Sequence, residues 1–157
     1  MTRWERWAFN AFHAIVSVTG GAYFYMKYAM ITHDPFAVIN HSWQPSMLAA
    51  HLVAAPVFIA LFGMLFRSHT LRKLLSSNPS NRRTGWTSLA SFATMALSGY
   101  LLQVAADPTL LTVLVWIHVA TSALFVAGYG VHLVIGWRAT RSSDPESDDS
   151  LPEALRL

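Results

Sequence analysis

The sequence predicts an all-α protein built as four transmembrane helices packed up and down. Three observations predict it. Apolar residues make up 54% of the 157 residues and charged residues only 12%, whereas a soluble domain carries about 25% charged residues on a surface that must face water. Four apolar stretches each approach the roughly 20 residues that a membrane-spanning helix needs. The connections between them are short, which makes sequence neighbours antiparallel.

The first stretch covers residues 7–30 and holds one charge, Lys27, near enough to its end for the amine to reach the interface. It is too long for the apolar core of a cleavable leader, and no clean small-x-small cleavage site follows, so it is expected to remain as the first span. The second, third and fourth stretches cover 46–66, 86–105 and 110–137 and contain no Asp, Glu, Lys or Arg. Loops of residues 31–45, 67–85 and 106–109 join the spans. Pro56 is expected to kink the second helix one turn beyond His51. No internal repeat is evident. Residues 1–140 thus form one membrane domain. Residues 141–157 follow as an acidic cytoplasmic tail around SSDPESDDSLPE, whose polarity and prolines argue disorder.

Charge sets the orientation. Arg3 and Arg6 precede the first span, Arg67, Arg72, Lys73, Arg82 and Arg83 fill the second loop, and Arg138 and Arg141 follow the fourth span. The first and third loops hold no Lys or Arg, only Asp34 and Asp107. By the positive-inside rule both termini are cytoplasmic. The net charge of +3 therefore belongs to headgroup anchoring. It does not indicate nucleic acid, which would require a basic face interleaved with aromatics. There are no cysteines, which excludes disulfides, thiolate metal sites and covalently attached c-type haem. Any metal must be held by His, Met or oxygen.

Of seven histidines, His33, His41 and His69 fall outside the spans. His13, His51, His118 and His132 fall inside, where an ionisable side chain is costly and marks a functional site by default. His118 and His132 lie 14 residues apart on the fourth helix. At 100° per residue they share nearly one face, roughly 21 Å apart along the axis. That spacing suits two b-type haems, one towards each membrane surface. Depth matching pairs His51 with His118 for the outer haem and His13 with His132 for the inner one. Bis-imidazole ligation fills both axial positions of the iron, which leaves electron transfer as the task. Gly20, Gly21, Gly99, Gly128 and Gly130 serve either helix packing or the close approach of a flat macrocycle.

Four segments carry a family resemblance: FHAIVSVTGG, AAHLVAAP, LSGYLLQ and WIHVATSALFVAGYGVHLVIGW. Over residues 1–140 the chain resembles the bacterial cytochrome b561-type four-helix di-haem cytochromes b. It is also similar to the cytochrome b subunits of membrane-bound hydrogenases and formate dehydrogenases. The resemblance implies a multi-pass protein of the bacterial cytoplasmic (inner) membrane, with His13, His51, His118 and His132 as haem ligands. It implies electron transfer between the quinone pool and a redox partner such as a c-type cytochrome, hydrogenase or molybdoenzyme, within a quinone-linked oxidoreductase complex.

Candidate quinone-binding groups are His33, Asp34, Asn40, His41, Trp43 and Gln44 in the first loop. On the cytoplasmic side they are Arg3, Trp4, Arg6, Asn10, His69 and Arg138. Arg3, Arg6 and Arg138 suit either haem propionates or headgroups, and Trp4, Trp7, Trp43, Trp86 and Trp137 suit an interfacial aromatic belt. Two other classes compete. A His-based proton or metal transporter would bring acidic partners or histidines gathered at one depth. A cofactor-free anchor subunit would leave four intramembrane histidines without a reason.

Overall fold

In the computed structural model, described residues are 2–66 and 82–141, side chains excepted at 82–85, 132 and 135–141. Four helices and no strand are found among the described residues: α1 (Arg3–Tyr28), α2 (Gln44–Leu65), α3 (Arg82–Val104) and α4 (Pro108–Arg141). Each expected span falls within one of them or overruns its end by one or two residues. Arg67, Arg72, Lys73, His69 and the tail 142–157 lie outside the described residues.

Local chemistry sets the ends. Thr2 caps α1 by accepting from Glu5 N–H (3.2 Å), while the Glu5 carboxylate accepts from Thr2 N–H (2.8 Å). This capping box satisfies two of the donors a helix leaves open. At the far end, Lys27 Nζ lies 5.5 Å from the ring centroids of both Tyr23 and Tyr28. α2 starts with Pro at its first turn and no side-chain cap; proline suits that position because its missing N–H would be unsatisfied anyway. α2 runs on through Pro56 as one helix. α4 starts at Pro108 behind Asp107, whose carboxylate accepts from Leu110 N–H at 2.7 Å.

The chain forms two compact units that meet in sequence between Gly85 and Trp86. The first contains the α1–α2 hairpin, and its core is Ala8, Phe9, Val16, Ala54 and Phe58. The second contains α4 and all but the first turn of α3, with Phe92, Leu114 and Phe125 buried beside Ser91 and Ser98. Small residues and rings, packed closely, hold the helices of each unit together.

Among the described residues two helical segments, Gln44–Leu65 and Pro108–Val131, are long and apolar enough to cross a membrane, and only 11% of each window is buried. A core helix of a water-soluble protein would be mostly covered. Here Val53 (75% exposed) and Leu124 (62%) stand out from these helices, and large apolar side chains in that position call for a lipid or protein surround.

Candidate functional site

His51 sits on α2 with its ring against α1. Its Nδ1 lies 3.0 Å from the carbonyl oxygen of Val16 and 3.5 Å from Thr19 Oγ1. A carbonyl only accepts, so Nδ1 carries the proton and donates it, and Nε2 is the basic nitrogen. Thr19 spends its own hydroxyl proton on the carbonyl of Ile15 at 2.6 Å, one turn back along α1. Its oxygen therefore faces the imidazole as a second acceptor. One residue further, Gly20 supplies the space: a Cβ there would stand 2.8 Å from His51 Cε1 and 2.9 Å from Nδ1. Only glycine admits the ring at that distance.

His118 on α4 repeats this arrangement against α3. Its Nδ1 lies 2.9 Å from the carbonyl of Met95 and 3.3 Å from Ser98 Oγ. Ser98 donates its hydroxyl proton to the carbonyl of Thr94 at 2.7 Å. A Cβ on Gly99 would stand 3.0 Å from His118 Cε1 and 3.3 Å from Nδ1. Carbonyl, hydroxyl and glycine thus recur in the same order around both rings.

Matched residue types extend along both hairpins, where no repeat was expected. On the first helix of each hairpin, Arg3, Trp7, Ala11, Ala14, Thr19 and Gly20 correspond to Arg82, Trp86, Ala90, Ala93, Ser98 and Gly99, always 79 positions apart. On the second, His51, Phe58, Ala60 and Gly63 correspond to His118, Phe125, Ala127 and Gly130, always 67 apart. Each unit is one copy of a helical hairpin carrying one imidazole seat.

The glycines consequently take specific places. Gly20 and Gly99 make room for imidazole rings. A Cβ on Gly128 would meet only Ser88 Oγ at 3.9 Å, and one on Gly21 or Gly130 would meet nothing within 4 Å.

His13 belongs to a second level of the first unit. Its ring is stacked on Phe9 (centroids 6.1 Å, planes 7° apart) and lies 5.6 Å from Phe58. Its Nε2 is buried. The same place in the second unit is all aromatic: Phe92 stands where His13 stands, with its ring 5.5 Å from Phe125. Phe58 follows His51 by seven residues, whereas His132 follows His118 by fourteen. By the same offsets His51 corresponds to His118, His13 to Phe92 and Phe58 to Phe125. The backbone at His132 belongs to α4, and its side chain lies outside the described residues.

The polar groups of the first loop hold that loop together. Asn40 Nδ2 donates to the Lys27 carbonyl (3.0 Å), and the buried Gln44 accepts from Asn40 N–H (3.2 Å). His41 Nδ1 accepts from Trp43 N–H (3.1 Å), and Asp34 accepts from Phe36 N–H (2.9 Å). His33 is exposed.

The two seats fit axial ligation of a haem. A ligating imidazole is neutral, binds through one nitrogen and donates its other N–H to a carbonyl or carboxylate that fixes the tautomer and ring plane. His51 and His118 both do so. Among the described residues no three His, Cys, Asp or Glu side chains gather into a metal cluster, so each imidazole is held singly by a neighbouring helix. Comparison of the chain with family models, curated proteins and solved structures gives no match.

Proposed function

We propose that the chain is an integral membrane di-haem cytochrome b of the b561 type. It would pass electrons between the quinone pool and a redox partner protein as the membrane subunit of a quinone-linked oxidoreductase. The observation that carries this reading is the duplicated imidazole seat. A histidine that merely packed would also satisfy its N–H, since an open donor in lipid costs several kcal/mol. A packing role gives no reason for both hairpins to keep the same carbonyl, hydroxyl and glycine around the same ring.

His51 and His118 would hold one haem through Nε2, and His13 and His132 the other. A bound haem with two imidazole ligands supplies reversible one-electron exchange at iron with no open coordination site. The carbonyls of Val16 and Met95 fix the tautomers of His51 and His118 and orient their rings. α1 and α3 serve as spans alongside α2 and α4, with both termini on the basic, cytoplasmic side.

The test is optical. Protein purified in detergent and reduced with dithionite should show the sharp alpha and Soret bands of low-spin haem b, and a pyridine haemochrome assay should give about two haems per chain. A colourless preparation of full helical content would overturn the reading and return the chain to the anchor or transporter class. His51→Ala and His118→Ala should each remove the same haem and leave the other.

A further inference from the structure

The seats differ in one chemical respect from an imidazole bonded to a plain backbone carbonyl. In each, a hydroxyl oxygen stands beside the carbonyl and faces the same N–H. Thr19 Oγ1 lies 3.5 Å from His51 Nδ1, and Ser98 Oγ lies 3.3 Å from His118 Nδ1. Neither hydroxyl is available as a donor to the ring, because each proton is committed at 2.6 and 2.7 Å to the carbonyl four residues earlier. Such back-bonding along a helix fixes the side-chain rotamer. The oxygen is thus locked with a lone pair towards the imidazole. Ser98 is also among the most buried polar groups described, at 3% exposure, and there a dipole acts at low local dielectric.

Resting on the di-haem reading above, we propose that Thr19 and Ser98 are positioning residues for the His51–His118 ligand pair. They hold both imidazoles in the Nδ1–H tautomer and raise the electron-donating strength of Nε2. An acceptor on Nδ1–H pulls the imidazole towards imidazolate and makes it a stronger ligand. A stronger anionic donor favours the ferric over the ferrous iron, so the two hydroxyls lower the midpoint potential of the haem this pair holds. The glycine that follows each hydroxyl keeps the ring close enough to feel it. Thr19 and Ser98 face the imidazoles of His51 and His118. The effect should therefore fall on the haem that this pair holds.

The experiment uses the full chain purified with its haem, in the variants Thr19→Val, Ser98→Ala and the double. Equilibrium redox titration is followed in the alpha band. Both haems should remain bound in every variant. The midpoint potential of one should rise, more for Ser98→Ala than for Thr19→Val and most for the double, while the other stays in place. Thr19→Ser and Ser98→Thr should restore the wild-type value. Unmoved potentials, or equal shifts of both haems, would overturn the proposal. A second measurement does not need the cofactor: nitrogen NMR of histidine-labelled apoprotein should find His51 and His118 protonated at Nδ1. Protonation at Nε2 in either would overturn the proposal with the haem count untouched. A chain that binds no haem would instead overturn the reading on which it rests.

Discussion

The two hairpins share one half of their construction and differ in the other. At the level of Gly20 and Gly99 they are equivalent: a helix backbone offers a carbonyl, a hydroxyl locks beside it, and an imidazole from the partner helix closes against glycine. Seven residues further along the second helix they diverge. The first hairpin places His13 between Phe9 and Phe58, and the second packs Phe92 on Phe125. The shared level shows what an imidazole seat requires of the fold. At the divergent level the second hairpin brings two phenyl rings to 5.5 Å where the first brings an imidazole and a phenyl to 5.6 Å.

That contrast can be broken most sharply by making the first hairpin like the second. His13→Phe should keep helical content and thermal stability close to wild type while haem content falls by about one per chain, since a phenyl ring has no ligand atom. Loss of fold instead would show that His13 is structural. The aromatic partners come next. Phe58→Ala and Phe125→Ala remove rings that are 2% and 5% exposed, and each should cost about 3–5 kcal/mol in unfolding free energy. Phe58 should cost the more, because it touches both Phe9 and His13.

The glycines separate the two seats more finely. Alanine gains about 1 kcal/mol over glycine in a helix, and forcing a methyl into a packed core costs about 1–3 kcal/mol. At Gly20 the added Cβ stands 2.8 Å from the ring, so Gly20→Ala should destabilise and lower occupancy at His51. At Gly99 the separation is 3.0 Å, and Gly99→Ala should come nearer to balance. The smallest effect lies at the helix starts. Thr2→Ala removes the α1 capping box and should cost about 1 kcal/mol in thermal denaturation, with no change in haem content. Position 43, where α2 has no side-chain cap, has no equivalent bond to lose.

The helices, and His13, His51, His118 and His132 as candidates, were readable from apolar run length and from the cost of polar groups in lipid. The seats were not. They depend on which carbonyl of a neighbouring helix meets Nδ1, and that register is set by packing across a hairpin. The repeat was hidden for a related reason. The bonded residues are 35 positions apart in the first hairpin and 23 in the second, so the two halves share no single period. The longer first loop, with its internally bonded Asn40, Gln44 and His41, accounts for the difference. Its matched residues are also scattered at helical intervals among apolar residues that exchange freely. The TG and SG pairs stood in plain view, and their positions next to glycine were the one available signal.

The last helix carries a mechanical consequence. At 34 residues, α4 is about 51 Å long, while the hydrocarbon of a bilayer is about 30 Å thick. A modest tilt takes up only part of that excess. Where α4 spans such a layer, its excess length carries the helix through the headgroup region, and the seat around His118 lies in its first third.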